Sequence, residues 1–144
     1  MRKIYVASSW KNEIAVKQLA NVLRGWEHEV YCFAESLEGQ HIFNWQDVIT
    51  PDDNGITCLD TDDSRKSFAI DKKYLDWCNC CVLLNPCGRD AHLEGGYVKG
   101  QGKKLIILGS FPCGEFSNMY HLADGLCRID QSGMIYLRSL LEEK

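Results

Sequence analysis

Apolar runs that do not alternate with polar residues constrain this chain most. Cys80-Cys81-Val82-Leu83-Leu84-Asn85 is apolar over nearly its whole length, and Lys3 to Ala7 and Lys104 to Leu108 read the same way. A strand with one solvated face shows a period of two. A strand without that period is covered on both faces, as in a parallel sheet with helices front and back. Segments of helical period separate the runs. Ile14, Val16, Leu19, Val22 and Leu23 recur at helical spacing from about Asn12 to Arg24, with Gly25 as the stop. Asp62-Asp63-Ser64 offers N-caps for a helix to about Trp77. Asp90 offers one for a helix from Ala91 to about Gln101, and Ser132 one for a last helix through Leu141. Glu29 to Phe33 reads as a second strand and Leu126 to Ile129 as a fifth, the latter after a short helix near Ser117 to Leu122.

The order β-α-β-loop-α-β-α-β-(α)-β-α predicts an α/β protein. It has a three-layer, doubly wound, flavodoxin/Rossmann-like fold around a five-stranded parallel sheet, with right-handed crossovers. The 144 residues are one domain's worth, and no linker or repeat divides them, so 1–144 is read as a single domain. Residues 34–63 carry Gly, Pro, Asp and Asn without a sustained period. A short element is predicted around Phe43 to Ile49, closed by Thr50-Pro51-Asp52-Asp53-Asn54-Gly55. Irregular segments of this length are functional lids or disordered, and Phe43 and Trp45 weigh against disorder.

Charge and cysteine usage narrow the partners. The net charge is −4 and the basic residues are scattered, so neither nucleic acid nor a membrane is an expected partner. The apolar run after Arg2-Lys3 is too short for a secretion signal, so a cytoplasmic setting is expected, and with it reduced thiols for the eight cysteines. Cys78-x-Cys80-Cys81 lacks the paired spacing of a zinc site, so no metal is expected. No G-x-G-x-x-G follows the first strand, which disfavours nicotinamide-dinucleotide oxidoreduction; no cofactor is expected.

Ligands of an open parallel sheet bind beyond the carboxyl ends of its strands. Three loops qualify: Ser8-Ser9-Trp10-Lys11-Asn12, the long loop after the second strand, and the segment from Asn85 through Gly88, Arg89, Asp90, His92 and Glu94 to Gly96. Glu94 falls in the first turns of a helix, where the dipole favours an anion. It is therefore expected to be ionised at neutral pH and able to attack an electrophilic sugar carbon. An acidic residue there also serves the dipole alone. Gly95-Gly96 implies close approach of a strand or a ligand. Asp71 shares a face with Phe68, Leu75 and Cys78, where a charge is costly unless paired or functional. The alternative is a stripe-edge residue paired with Lys72 or Lys73, while Asp76 falls off that face into solvent. Ser8 and Ser9 can bind an anion or cap a helix. Arg89 and His92 can contact a phosphate or lie on a turn. Trp10 and Trp45 can stack on a planar base or fill core.

Lys3-Ile4-Tyr5-Val6-Ala7-Ser8-Ser9 and Gly88-Arg89-Asp90-Ala91-His92-Leu93-Glu94-Gly95-Gly96-Tyr97, with Gly100-Gln101-Gly102-Lys103 trailing, resemble the nucleoside 2-deoxyribosyltransferase family. The resemblance implies a doubly wound five-stranded parallel sheet and cleavage or transfer at the N-glycosidic bond of a (deoxy)nucleoside or nucleotide. It implies Glu94 as the nucleophile that forms a glycosyl-enzyme and Asp71 as the aspartate that handles the leaving base. Asp90 lies where the family often carries another aspartate. The substrate-binding candidates are then Ser8, Ser9, Trp10, Trp45, Asn85, Gly88, Arg89, Asp90 and His92, with Ser8, Ser9, Arg89 and His92 considered for a 5′-phosphate. The resemblance further implies a small-molecule nucleoside or nucleotide partner and a homodimer or higher homo-oligomer, to which a C-terminal helix with Ile135, Tyr136, Leu137 and Leu140 could contribute. TIR-type NAD glycohydrolases share the sheet and a catalytic glutamate, and a non-catalytic nucleotide-binding or signalling module on the same fold is the third reading.

Overall fold

The computed structural model describes residues 1–35, 58–111, 114 and 116–143. Strand β1 (Lys3–Ala7) leads through a 3-10 turn (Trp10–Asn12) into α1 (Glu13–Gly25). Then come β2 (Glu29–Cys32), α2 (Asp62–Trp77), β3 (Cys80–Asn85), α3 (Arg89–Gly100) and β4 (Lys104–Gly109). A second 3-10 turn (Asn118–Leu122) precedes β5 (Gly125–Cys127) and α4 (Gln131–Glu142). The five strands are all parallel in the order β2-β1-β3-β4-β5. This is the expected doubly wound α/β sheet. The element predicted near Phe43 to Ile49, the turn after it, and Trp45 lie outside the described residues.

The absence of alternation has the anticipated cause: all six residues of β3 are buried. Ile4, Val6, Cys80, Val82, Leu84, Ile106 and Leu108 point to one face, against Val16, Leu19 and Leu23 of α1 and Leu137, Leu140 and Leu141 of α4. Tyr5, Tyr31, Cys81, Leu83, Leu105 and Ile107 point to the other, against Leu75 of α2 and Ala91 and Val98 of α3. On that second face Tyr31, Tyr5, Cys81 and Leu105 are register partners across β2, β1, β3 and β4. Tyr5 and Tyr31 therefore stand side by side on the sheet.

Several boundaries differ from expectation for local reasons. Thr61 caps α2 by accepting from the Ser64 amide, so Asp62 and Asp63 occupy the first turn. Gly88 is the cap residue of α3 and Asp90 falls within its first turn. Asp130 caps α4 by accepting from the Gly133 amide at 2.7 Å, which places Ser132 inside the helix. Gly25 is the last residue of α1; the left-handed residue beyond it is Glu27, at φ 66°. Ile14 and Val22 are exposed, which narrows the buried stripe of α1 to Val16, Leu19, Ala20 and Leu23.

Strand β5 starts at Gly125, where a Cβ would sit 2.2 Å from Leu140 Cδ1. Glycine is there to admit α4, and Ile129 is left outside the strand, 60% exposed. Gly95 lies against Leu83 and Leu105, whereas Gly96 faces open space, so Gly95 alone serves the approach of α3 to the sheet. Cys32, Cys78, Cys80, Cys81, Cys87 and Cys127 form no disulfide, and Cys78 and Cys81 face away from Cys80. Among the described residues no helix is long and apolar enough to cross a membrane, and no group of three or more His, Cys, Asp or Glu could hold a metal ion.

Candidate active site

Two buried tyrosines on neighbouring strands each hold a carboxylate delivered by a helix. The Tyr5 hydroxyl donates to Glu94 Oε1 at 2.9 Å, and the Tyr31 hydroxyl donates to Asp71 Oδ1 at 2.9 Å. The arrangement follows from register. Tyr5 and Tyr31 are Cα partners on the face covered by α2 and α3, with ring centroids 5.1 Å apart. Tyr74 of α2 stacks on Tyr31 at 3.9 Å and fixes the ring that reaches Asp71. Phenol hydroxyls buried in an apolar face need partners, and the two carboxylates provide them.

Burial dominates the electrostatics. It pushes the Glu94 carboxyl from the usual 4.5 up to about 8; the Asp71 charge raises it further, the Tyr5 hydrogen bond opposes, and Asp90 adds a smaller push. Asp71 is raised too, first by burial and then by Asp90, against the hydrogen bond from Tyr31. Burial also pushes both phenols up, with the carboxylate charges adding, so the hydroxyls remain donors. The expectation that Glu94 is ionised at neutral pH runs against this shift: burial and the Asp71 charge favour the protonated form in the free protein. A helix N-terminus favours a nearby anion by about 0.3–1 kcal/mol, too little to offset removal from water beside a second carboxylate.

The surroundings of Asp71 are also corrected. Lys72 pairs with Asp76 and Lys73 lies over Tyr74, so neither lysine neutralises Asp71. Phe68 does not share its buried face, being 64% exposed. Asp76 is exposed yet engaged: Lys72 first, then Tyr97 and Gln101, hold its carboxyl at about 2.

The loop candidates divide. Ser8 donates to the Leu84 carbonyl at 2.8 Å and accepts from Asn12 Nδ2 at 3.1 Å, and the same Asn12 amide donates to the Pro86 carbonyl. Ser8 and Asn12 thus clamp the loop after β1 to the loop after β3. Ser9 caps the 3-10 turn by accepting from the Lys11 amide. Trp10 packs edge-on against Phe33 at 5.1 Å on the α1 face, away from both carboxylates, which corrects its expected place as a stacking platform at the site. Arg89 and Asp90 are exposed at the start of α3 and make no hydrogen bond or ion pair among the described residues.

Asn85, Gly88 and His92 belong to a second network. His92 Nδ1 lies 2.7 Å from the Gly88 carbonyl oxygen, which can only accept, so this nitrogen carries the proton. In the neutral ring Nε2 then accepts from the Tyr120 hydroxyl at 3.0 Å. Tyr120 in turn accepts from Asn85 Nδ2 at 3.1 Å, and Asn85 Oδ1 accepts from the Cys87 thiol at 3.2 Å. His92 therefore spends both nitrogens within the protein and is not left to meet a phosphate, a correction to its expected role. Cys87, pushed up to about 11 by burial, stays a thiol. Together with Phe111, Phe116 and Ser117 the side chains of Asn85, Cys87, His92 and Tyr120 line an open pocket. Glu94 reaches toward β1 and His92 toward the segment between β4 and β5, so the pocket and the carboxylate pair lie on opposite flanks of α3.

Tyr5, Tyr31, Asn12 and Tyr120 were not singled out from sequence. For Tyr5 and Tyr31 a signal existed, since a phenol inside a doubly covered strand requires a partner on that face. Asn12 and Tyr120 carried none.

No protein-family model and no curated protein sequence matches the chain. Solved structures share its fold. A 2-deoxyribosyltransferase from the psychrotolerant bacterium Bacillus psychrosaccharolyticus matches with a TM-score of 0.61 over 92% of this chain and 88% of its own, at 19% identity. The Clostridium botulinum CMP N-glycosidase matches with a TM-score of 0.53 over 95% of both chains, at 16% identity. At these identities the likeness is one of architecture: this chain carries the doubly wound parallel sheet on which that transferase and that glycosidase are built.

Proposed function

We propose that the chain cleaves or transfers the N-glycosidic bond of a (deoxy)nucleoside or nucleotide, with Glu94 as nucleophile and Asp71 as the acid that protonates the departing base. The observation that carries this reading is the pair of tyrosine-held carboxyls on facing helices, one of them shifted to about 8. Perturbed, closely coupled carboxyls suit divided acid and base roles. The fold shared with two enzymes of N-glycoside chemistry raises the prior, as analogy.

In this scheme the proton leaves Glu94 for Asp71 as substrate enters. The Glu94 carboxylate forms a bond to the anomeric carbon, the C1′–N pair departs with the base, and Asp71 returns the proton to it. Water or a second base then attacks the anomeric carbon and gives its proton to Asp71; the C1′–O bond to Glu94 breaks, and the proton returns from Asp71 to the freed Glu94 carboxylate. Arg89, exposed at the start of α3 and without an ion pair among the described residues, is the residue to meet a 5′-phosphate if the substrate is a nucleotide, with Asp90 beside it. Ser8 acts by holding the two loops rather than by binding.

Incubation with deoxynucleosides and a second free base, followed by chromatography, tests the reading. Exchanged nucleoside or free sugar is expected from the wild type and not from Glu94→Ala. Full activity in Glu94→Ala would refute it, and nicotinamide release from NAD with deoxynucleosides untouched would move the assignment to NAD glycohydrolysis. The homo-oligomer remains part of the proposal, to be read by light scattering.

A further inference from the structure

We infer that the pocket on the far flank of α3 binds a neutral planar heterocycle; given the proposed function, on which this identification rests, that ligand is a free nucleobase. The lining determines the class. Among the described residues no Asp, Glu, Lys or Arg lines the pocket, so an ionic ligand would lose hydration without a counter-charge from them. The walls are aromatic: Phe111 and Phe116 lie 6.2 Å apart by centroid, and both meet Tyr120 edge-on, at 6.1 and 5.4 Å. Phe116 is 57% exposed, a large apolar ring standing at the mouth.

The floor is polar and has defined spare capacity. Asn85, 6% exposed, uses one amide proton on Tyr120 and retains the other. The Tyr120 oxygen accepts from Asn85 and donates to His92, which leaves a lone pair. Ser117 accepts from the Met119 amide and keeps its own hydroxyl proton to donate. Among the described residues the free groups are thus an amide donor, a hydroxyl donor and a phenol acceptor, all neutral, set beside rings on which a flat ligand can stack. Nucleobases present that combination of ring-edge donors and acceptors with an apolar face, and stacking on aromatic side chains accommodates any of them.

The floor is also held rigid. Gly109 approaches so closely that a Cβ would lie 2.3 Å from the Asn85 carbonyl oxygen, and the hydrogen-bond chain closes onto the Gly88 carbonyl. Because His92 and Glu94 share α3, a base seated here would lie across that helix from the carboxylate pair, the setting for a released product or a waiting acceptor.

Titration of the full-length protein with adenine, hypoxanthine and cytosine, followed by amide-resolved NMR, tests the assignment, with inorganic phosphate as the ionic control. Saturable binding is expected, weakened about tenfold by Phe116→Ala through the lost stacking and unchanged by Glu94→Gln. Phe116 is exposed, so its truncation leaves the core intact. No saturable binding of any base, phosphate bound as tightly as the bases, or binding abolished by Glu94→Gln but indifferent to Phe116→Ala would overturn it. Turnover assayed on the same samples separates the two claims. Bases bound here without N-glycoside cleavage would sink the catalytic reading alone, whereas cleavage with bases bound only beside Glu94 would sink the pocket alone.

Discussion

Replacing Glu94 by glutamine should stabilise this protein at alkaline pH while removing its proposed chemistry. The Glu94 carboxyl titrates at about 8 in the folded chain, against 4.5 when solvated. Between those values the unfolded chain gives up its proton and the folded chain keeps it. The folded state therefore binds more protons, and stability falls as pH rises through the window. Below about pH 4.5 both states are protonated and nothing is lost; above about 8 the whole penalty is present. A gap of roughly 3.5 pH units at ~1.4 kcal/mol each sets a ceiling near ~5 kcal/mol. Glu94 keeps some solvent contact and its titration is coupled to that of Asp71, so about half the ceiling, 2–3 kcal/mol, is the working figure. Glutamine preserves the shape and the acceptor for Tyr5 and has no charge to develop. The difference in melting temperature between Glu94→Gln and wild type should thus be small at pH 5 and reach roughly 6–9 °C at pH 9, at about 3 °C per kcal/mol for a domain of this size. Circular-dichroism melts of both proteins in matched buffers measure it. A difference independent of pH, or one in which glutamine becomes worse as pH rises, would show that Glu94 is not a proton-holding buried acid.

Three further perturbations probe the supports. Tyr31→Phe removes the donor to Asp71 but keeps the stack on Tyr74, so carbon-detected NMR should show the Asp71 carboxyl titrating at higher pH than in the wild type, and an unmoved titration would deny that this bond sets its charge. Buried His28 accepts from the Arg2 amide through Nδ1, and burial, then the N-terminus and Arg2, lower its pKa. The unfolded chain therefore takes up a proton the folded chain refuses, and stability should fall as pH drops below 6.5; urea titrations of wild type and His28→Gln should show that part of the slope vanish in the variant. Gly109→Ala would force a Cβ to 2.3 Å from the Asn85 carbonyl oxygen at a backbone φ of 139°. A loss of about 2–3 kcal/mol in urea titrations, with shifted Tyr120 resonances, is expected.

How far the fold was legible follows from which physics fixed each part. Uninterrupted burial of a strand such as Cys80–Asn85 writes itself as an apolar run, and helix periods mark what lies between, so the order of elements and the parallel sheet were readable. Caps were misplaced by one to three positions because several Ser, Thr and Asp residues compete at each start and backbone geometry chooses among them. Thr61 and Asp130 won over neighbours of similar propensity. Strand β5 starts one residue before the expected Leu126 because Gly125, the glycine that admits Leu140, carries no strand signal of its own. At the site, Glu94 and Asp71 could be picked out as charges in odd places. The partners that position them are register neighbours from distant segments, and a single sequence does not state register. The role of His92 was misjudged for the same reason, since its occupation by Tyr120 depends on a contact 28 residues away.

The largest error concerned the charge on Glu94, and its origin bears on the chemistry. Reading from the helix start counts one favourable interaction, that of an anion with peptide dipoles. The folded chain adds two larger unfavourable ones, burial and the neighbouring Asp71. A nucleophile that rests protonated is not thereby excluded, because its proton has an obvious destination in the adjacent carboxyl, and the same proton is what a departing base requires. Tyr5 donates to Glu94 and Tyr31 to Asp71, while burial and the Asp71 charge raise the Glu94 carboxyl to about 8. A bound substrate that alters the field between α2 and α3 is what the proposed proton movement from Glu94 to Asp71 requires. A strong ion pair to either carboxyl would pin the charge in place, and neither Glu94 nor Asp71 has one among the described residues.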